Sequence, residues 1–240
     1  MTIFEHLGEL RKRLLISLVA VVTFAVLSYS YTSEVFAFLS KPYLTSFKDN
    51  LLIGTGPAEA FLLRVKVALF SGAILSTPII FHQLWLFLSP GLYEKERKLF
   101  IPFLLSATAL FLGGVAFCYL VVLPFTFAFF ADQYAMIEIT PTIRISEHLS
   151  MMIQALVGFG VVFEMPIVAF LLGRTGLIDH NTLIGGGRYA IVIIFIVSAV
   201  LTPPDVLTQL LMAIPLLILY GISIFIVWFG QRATATNPSE

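Results

Sequence analysis

The chain has a single cysteine, Cys118, among 240 residues. An intramolecular disulfide and a thiolate metal cluster are therefore excluded. Set in an apolar run, the thiol reads as a small buried side chain. Charge is also scarce, at 12% of residues, where soluble domains carry about a quarter. Neither sign dominates, with 14 Lys+Arg against 14 Asp+Glu. That balance leaves no electrostatic footprint for nucleic acid and no pull toward an acidic partner. Hydrolase and nucleotide signatures are missing: there is no H-E-x-x-H, G-x-S-x-G or P-loop. Nothing in the residues calls for a cofactor or a resident metal.

What the chain has in excess is apolar surface, 59% of residues. A soluble core cannot bury that much, so the bilayer is the expected solvent. A membrane-crossing helix needs about 20 apolar residues. Uncharged stretches supply six, read as spans 14–33, 67–88, 102–124, 149–173, 189–202 and 206–229. Thr202-Pro203-Pro204-Asp205 makes the last two a tight hairpin, since paired prolines favour turns over helix interior. The fifth apolar stretch, Tyr189–Leu201, covers only about 20 Å at the helical rise. The hairpin is expected to be short. Residues 34–62 mix Pro42, Gly54, Gly56 and Pro57 with apolar pairs and read as a structured external cap. Residues 1–232 are expected to form one membrane domain, with 233–240 a disordered tail.

The fourth stretch holds the most informative residue. Glu164 is the only charge in Leu149–Gly173. Inserting a carboxylate near mid-membrane costs roughly 2.5 kcal/mol or more, and function is the usual reason to keep one. Pro166 beside it removes a backbone donor and predicts a kink. His82 and Gln83 are polar in the second span and read as an ordinary pair near one interface.

The amino terminus places Ile3, Phe4, Leu7, Leu10 and Leu14 on one helical face, with Glu5, Glu9 and Lys12 away from it. This pattern marks an interfacial helix feeding the first span. The plain reading of Glu9 is an i,i+4 pair with Arg13. The loop after span two, Phe87-Leu-Ser-Pro-Gly-Leu-Tyr-Glu-Lys-Glu-Arg-Lys98, is charged between apolar flanks. Its plain reading is charges reaching for headgroups.

Six spans put both termini on one side. That side collects Arg11, Lys12, Arg13, Lys95, Arg97, Lys98, Arg174, Arg188 and Arg232; the other holds Lys41, Lys48, Arg64, Lys66 and Arg144. The positive-inside rule makes both termini cytoplasmic. The expected architecture is thus an all-α polytopic integral membrane protein of six helices.

Four segments in order resemble the TatC subunit of the twin-arginine protein translocase. They are His6-Leu-Gly-Glu-Leu-Arg-Lys-Arg-Leu14, Phe87–Arg97, Phe163-Glu-Met-Pro166 and Leu201-Thr-Pro-Pro-Asp205. The resemblance implies a signal-peptide receptor and core scaffold that helps export folded proteins, driven by the proton-motive force and without catalysis. It implies that Glu9 and Glu96 receive the twin arginines, with Phe87, Pro90 and Leu92 around that site. It implies that Glu164 is the family's intramembrane acid. Thr202, Asp205 and Gln209 would dock small single-span subunits of the TatA/TatB type. The implied partners are twin-arginine signal peptides, those subunits and further copies of the chain. Without a transit-like extension, a bacterial cytoplasmic (inner) membrane is the expected location. Gly185-Gly-Gly187 departs from the basic residues frequent in that loop of the family.

The chemistry of such a receptor is plausible from the residues. A guanidinium is a planar fork that a carboxylate accepts with both oxygens, and lysine lacks that geometry. Two competing readings remain. A proton-coupled carrier would use Glu164 as its proton site, but no internal repeat supports it. An intramembrane hydrolase needs a second catalytic group at depth, and no other span carries an acid.

Overall fold

The computed structural model describes residues 3–47, 52–89, 100–201 and 206–235. Ten α-helices account for nearly all of them. Five helical stretches are long and apolar enough to cross a membrane, and a bent helix pair makes a sixth. The chain divides into two compact units.

The first unit comprises Met1–Ala109 and Leu123–Ile153. Helix α1 (Ile3–Ser28) continues through a short 3-10 turn into α2 (Thr32–Ser46). Helix α3 (Glu59–Leu75) packs along α1 and leads into α4 (Thr77–Leu88), bent from it by 56°. The expected second span, 67–88, thus falls on a bent pair of helices. Pro78 has no N–H for the carbonyl of Ile74, four residues back, which breaks the ladder. The Thr77 hydroxyl donates to that carbonyl instead, at 2.7 Å. Gly72 makes the α1–α3 approach possible. A Cβ there would lie 2.5 Å from the carbonyl oxygen of Val21.

The expected cap after the first helix is present as ordered structure. Helix α2 packs on α3 and on α6 (Leu123–Met136). Tyr43, fully buried, stacks on Phe47 at 4.8 Å and meets the Phe127 edge at 5.8 Å. Ile53 pairs with the start of α7 (Ile145–Val162): its N–H donates to Ile143 and its carbonyl accepts from Ile145. Glu59, the first residue of α3, ties the preceding loop to the helix by accepting from Gly56 N–H at 3.1 Å and from the backbone N–H of Thr55.

The second unit comprises Leu110–Val122 and Gln154–Glu240. It takes in the latter part of α5 (Phe100–Phe117), a π-helical segment over Cys118–Val122, and the latter part of α7. Pro124 follows that segment, and its missing N–H accounts for the local widening. Cys118 is fully buried, as its apolar setting predicted. Gly114 lets α5 meet α7, because a Cβ there would lie 2.6 Å from the carbonyl oxygen of Phe159. Helix α10 (Val206–Ala235) packs on α8 (Met165–Arg174) and on α9 (His180–Leu201).

The hairpin helices are not short, which corrects the sequence expectation. Helix α9 has 22 residues and α10 has 30. Helix α9 starts nine positions before the uncharged stretch and runs through Gly185–Gly187 and Arg188. Asp179 sets that start, accepting the Thr182 N–H at 2.7 Å and the Thr182 hydroxyl. Helix α10 likewise runs to Ala235, three residues into the stretch expected to be a tail. The Thr202–Asp205 turn and residues from 236 onward lie outside the described residues.

Candidate functional site

The site begins with the packing of α1. Gly72 brings α3 against α1, and the bend at Ser76 turns α4 back toward the amino-terminal half of α1. Three side chains meet there. Arg13 donates from Nη2 to Oε1 of Glu9 at 3.0 Å, and from Nη1 to Oε1 of Gln83 at 3.3 Å. The i,i+4 pair expected from sequence therefore exists, but it is tied to a residue of α4. Glu9 and Arg13 keep side-chain exposures of only 18% and 22%, so bulk water screens the pair less than it would an open surface pair. Oε2 of Glu9 and Nε of Arg13 are buried and have no hydrogen-bond partner among the described residues. One turn away, the His6 ring stacks on Phe87 at 4.4 Å. Trp85, buried in α4, packs on Phe103 at 4.8 Å and holds that end of the helix in place.

Of the site residues named from sequence, Glu9 and Phe87 share this face. Pro90, Leu92 and Glu96 lie outside the described residues. Gln83, expected only as half of a polar pair with His82, is also buried and bonded across to α1. The signal available was its polarity within an apolar span.

Glu164 lies in the second unit at the interruption between α7 and α8, where Phe163 and Glu164 form a turn. The expected disruption beside Pro166 is present. Glu164 serves as the N-cap position of α8, its carbonyl accepting from Ile167 and Val168 at 3.1 and 3.0 Å. Its Oε1 is buried with no hydrogen-bond partner among the described residues. The Phe117 ring lies 5.6 Å from that of Phe163, so the turn is walled by aromatic surface. A half-satisfied carboxylate in apolar surroundings is a strong acceptor for any polar group that reaches it.

Gln209 donates from Nε2 to the carbonyl of Phe195 at 3.0 Å and so ties α10 to α9. Gln154 donates to the carbonyl of Val200 in the same way. Thr202 and Asp205 lie outside the described residues. At the other end of α10, His180 donates from Nδ1 to Gln231 at 2.8 Å. No cluster of His, Cys, Asp or Glu suited to a metal occurs among the described residues.

The family model described as "Sec-independent protein translocase protein (TatC)" matches residues 5–215. The chain belongs to the TatC family. The TatC protein of Helicobacter pylori (strain J99) is 38% identical over 235 residues, covering 98% of this chain and 92% of the relative. That of Aquifex aeolicus (strain VF5) is 39% identical, covering 98% and 96%. A solved structure described as the twin arginine translocase receptor TatC superposes with a TM-score of 0.85 at 39% identity, covering 95% of this chain and 99% of that one. The TatC assignment makes the chain a membrane-embedded component of the twin-arginine translocase. It is a transport subunit that works with other subunits, not an enzyme.

Proposed function

We propose that this chain is the signal-peptide receptor and core scaffold of a twin-arginine translocase in a bacterial cytoplasmic membrane, with both termini in the cytoplasm. The observation that carries the reading is Glu9, a part-buried carboxylate with one oxygen engaged by Arg13 and the other unpartnered among the described residues. Such an oxygen is primed for a charge-assisted hydrogen bond from an arriving guanidinium. Glu96 supplies the second carboxylate, so two adjacent arginines are read at once. Phe87, Pro90 and Leu92 shape the surroundings, and the His6–Phe87 stack offers a flat apolar wall to the arginine stems. The orientation is supported by the positive-inside count.

Glu164 offers a polar contact deeper in the membrane, for a partner helix or for the apolar part of the signal. Thr202, Asp205 and Gln209 mark the docking end for small single-span subunits. The Gln209 bond to Phe195 gives that end a fixed helix pairing. Homo-oligomerisation of the chain in the assembled complex belongs to the same reading.

The test is binding of a signal peptide with adjacent Arg-Arg and of its Lys-Lys counterpart to the purified protein in detergent. Tighter Arg-Arg binding, lost in the Glu9→Ala, Glu96→Ala double variant, is expected. Wild-type binding by that variant would remove these residues from the site. Equal binding of both peptides by the unaltered protein would remove the receptor reading itself.

A further inference from the structure

Gln83 is 7% exposed in α4, an uncharged polar side chain in an apolar helix. Its amide oxygen accepts from Nη1 of Arg13, so Arg13 reaches Glu9 with Nη2 alone. An arginine and a carboxylate left to themselves favour two parallel bonds that engage both oxygens. Here one arm of the fork is drawn away to Gln83, and Oε2 of Glu9 is left buried without a partner among the described residues. A closed two-armed pair would engage that oxygen and leave a weaker acceptor for a third group.

We infer that Gln83 is a positioning residue: it holds Arg13 in a one-armed pair and so keeps Oε2 of Glu9 unpaired for the guanidinium of an incoming peptide. The inference rests on the receptor reading of Glu9. The Gln83 amide is itself oriented. Its Nε2 lies 3.4 Å from Nδ1 of His82, an acceptor in the Nε2-protonated tautomer, which turns the oxygen toward Arg13. Three elements thus set one carboxylate: α1 supplies Glu9 and Arg13, α4 supplies Gln83 and His82, and α3 fixes the approach of the two through Gly72.

The full-length protein in detergent, titrated with the Arg-Arg and Lys-Lys peptides, provides the test. Gln83→Met keeps the volume and removes the acceptor. Arg13 then closes on Glu9 with both arms, and Arg-Arg affinity falls by about tenfold or more, one charge-assisted bond's worth. Gln83→Glu keeps an acceptor and binds at least as tightly as the unaltered protein. Adding Arg13→Lys to Gln83→Met restores most of the affinity, because an ammonium cannot make the two-armed pair. Undiminished binding by Gln83→Met overturns the inference. So does a loss that Arg13→Lys fails to repair, which would mark Gln83 as a packing residue only. Failure of the receptor reading looks different: the unaltered protein would bind both peptides alike, and the inference would fall with it.

Discussion

Arg13 and Gln83 lie 70 positions apart in the chain and share a 3.3 Å hydrogen bond. Through it the amino-terminal turns of α1 are fixed to α4, so the orientation of Glu9 depends on a helix that contributes no charge to the site. The first prediction concerns the energetics of that arrangement.

The Glu9–Arg13 pair is less exposed than an open helix-surface pair, which is worth only a few tenths of a kcal/mol. A double-mutant cycle with Glu9→Ala and Arg13→Ala is expected to give a coupling of about 1 kcal/mol in unfolding experiments in detergent. Strict additivity of the two single changes would show that the pair is not formed in the membrane-like environment.

Neighbouring glycines should respond in opposite ways. A Cβ at Gly114 would press on Phe159 and Phe163 at under 3 Å, whereas one at Gly113 meets nothing within 4 Å. Gly114→Ala is therefore expected to destabilise by about 1–3 kcal/mol through overpacking. Gly113→Ala should be neutral, or stabilising by up to about 1 kcal/mol through helix propensity. Thermal unfolding of the two variants side by side decides it. Equal effects would refute the close α5–α7 approach.

Asp179 governs the start of α9 and should do so in a pH-dependent way. The Thr182 hydroxyl and then the Thr182 backbone N–H donate to its carboxylate, which lowers its pKa below the ordinary aspartate value. A depressed folded-state pKa means that the capping contribution is present above the unfolded pKa and fades as pH falls through the folded one. Protection of the Thr182 amide from hydrogen exchange, taken relative to its intrinsic rate at each pH, is expected to hold through neutral pH and to fall only in strong acid. Asp179→Asn, which caps without titrating, should flatten that profile. A profile unchanged by the substitution would mean that Asp179 is not the controlling group.

Stability and function should part company at Glu164. Its carboxylate is half-buried at the α7–α8 break, with Oε1 unpartnered among the described residues. Glu164→Leu removes the cost of holding that group in apolar surroundings and should raise stability by about 1 kcal/mol or more. Export of a twin-arginine reporter should fall in the same variant. A destabilised Glu164→Leu protein would mean that the carboxylate is satisfied in the assembled membrane state and contributes to the fold.

The membrane spans were legible because an apolar stretch of membrane length has few other uses. Their internal breaks were legible only in part. Pro166 announced the interruption at Glu164, but the bend at Ser76 depends on how Thr77 compensates for Pro78, a pattern that also occurs in straight helices. The length of α9 was not legible from the uncharged stretch, which starts only at Tyr189 after Arg188. The backbone ladder instead runs through Gly185–Gly187 to the cap at Asp179. Glu9 and Phe87 could be picked out by motif, since each belongs to a local pattern. The bond between Arg13 and Gln83 could not, because no local spacing records a contact across 70 residues.

The burial of Cys118 has a practical consequence. The chain's sole thiol is sealed within the π-helical segment that follows α5, with no exposed surface. Maleimide dyes should leave the folded protein unmodified and react once it unfolds, so the native sequence already contains a fluorescent readout of denaturation. A cysteine introduced at Leu7 or Tyr189, both well exposed, would then be the one site available for crosslinking or spin labels without first removing the natural residue.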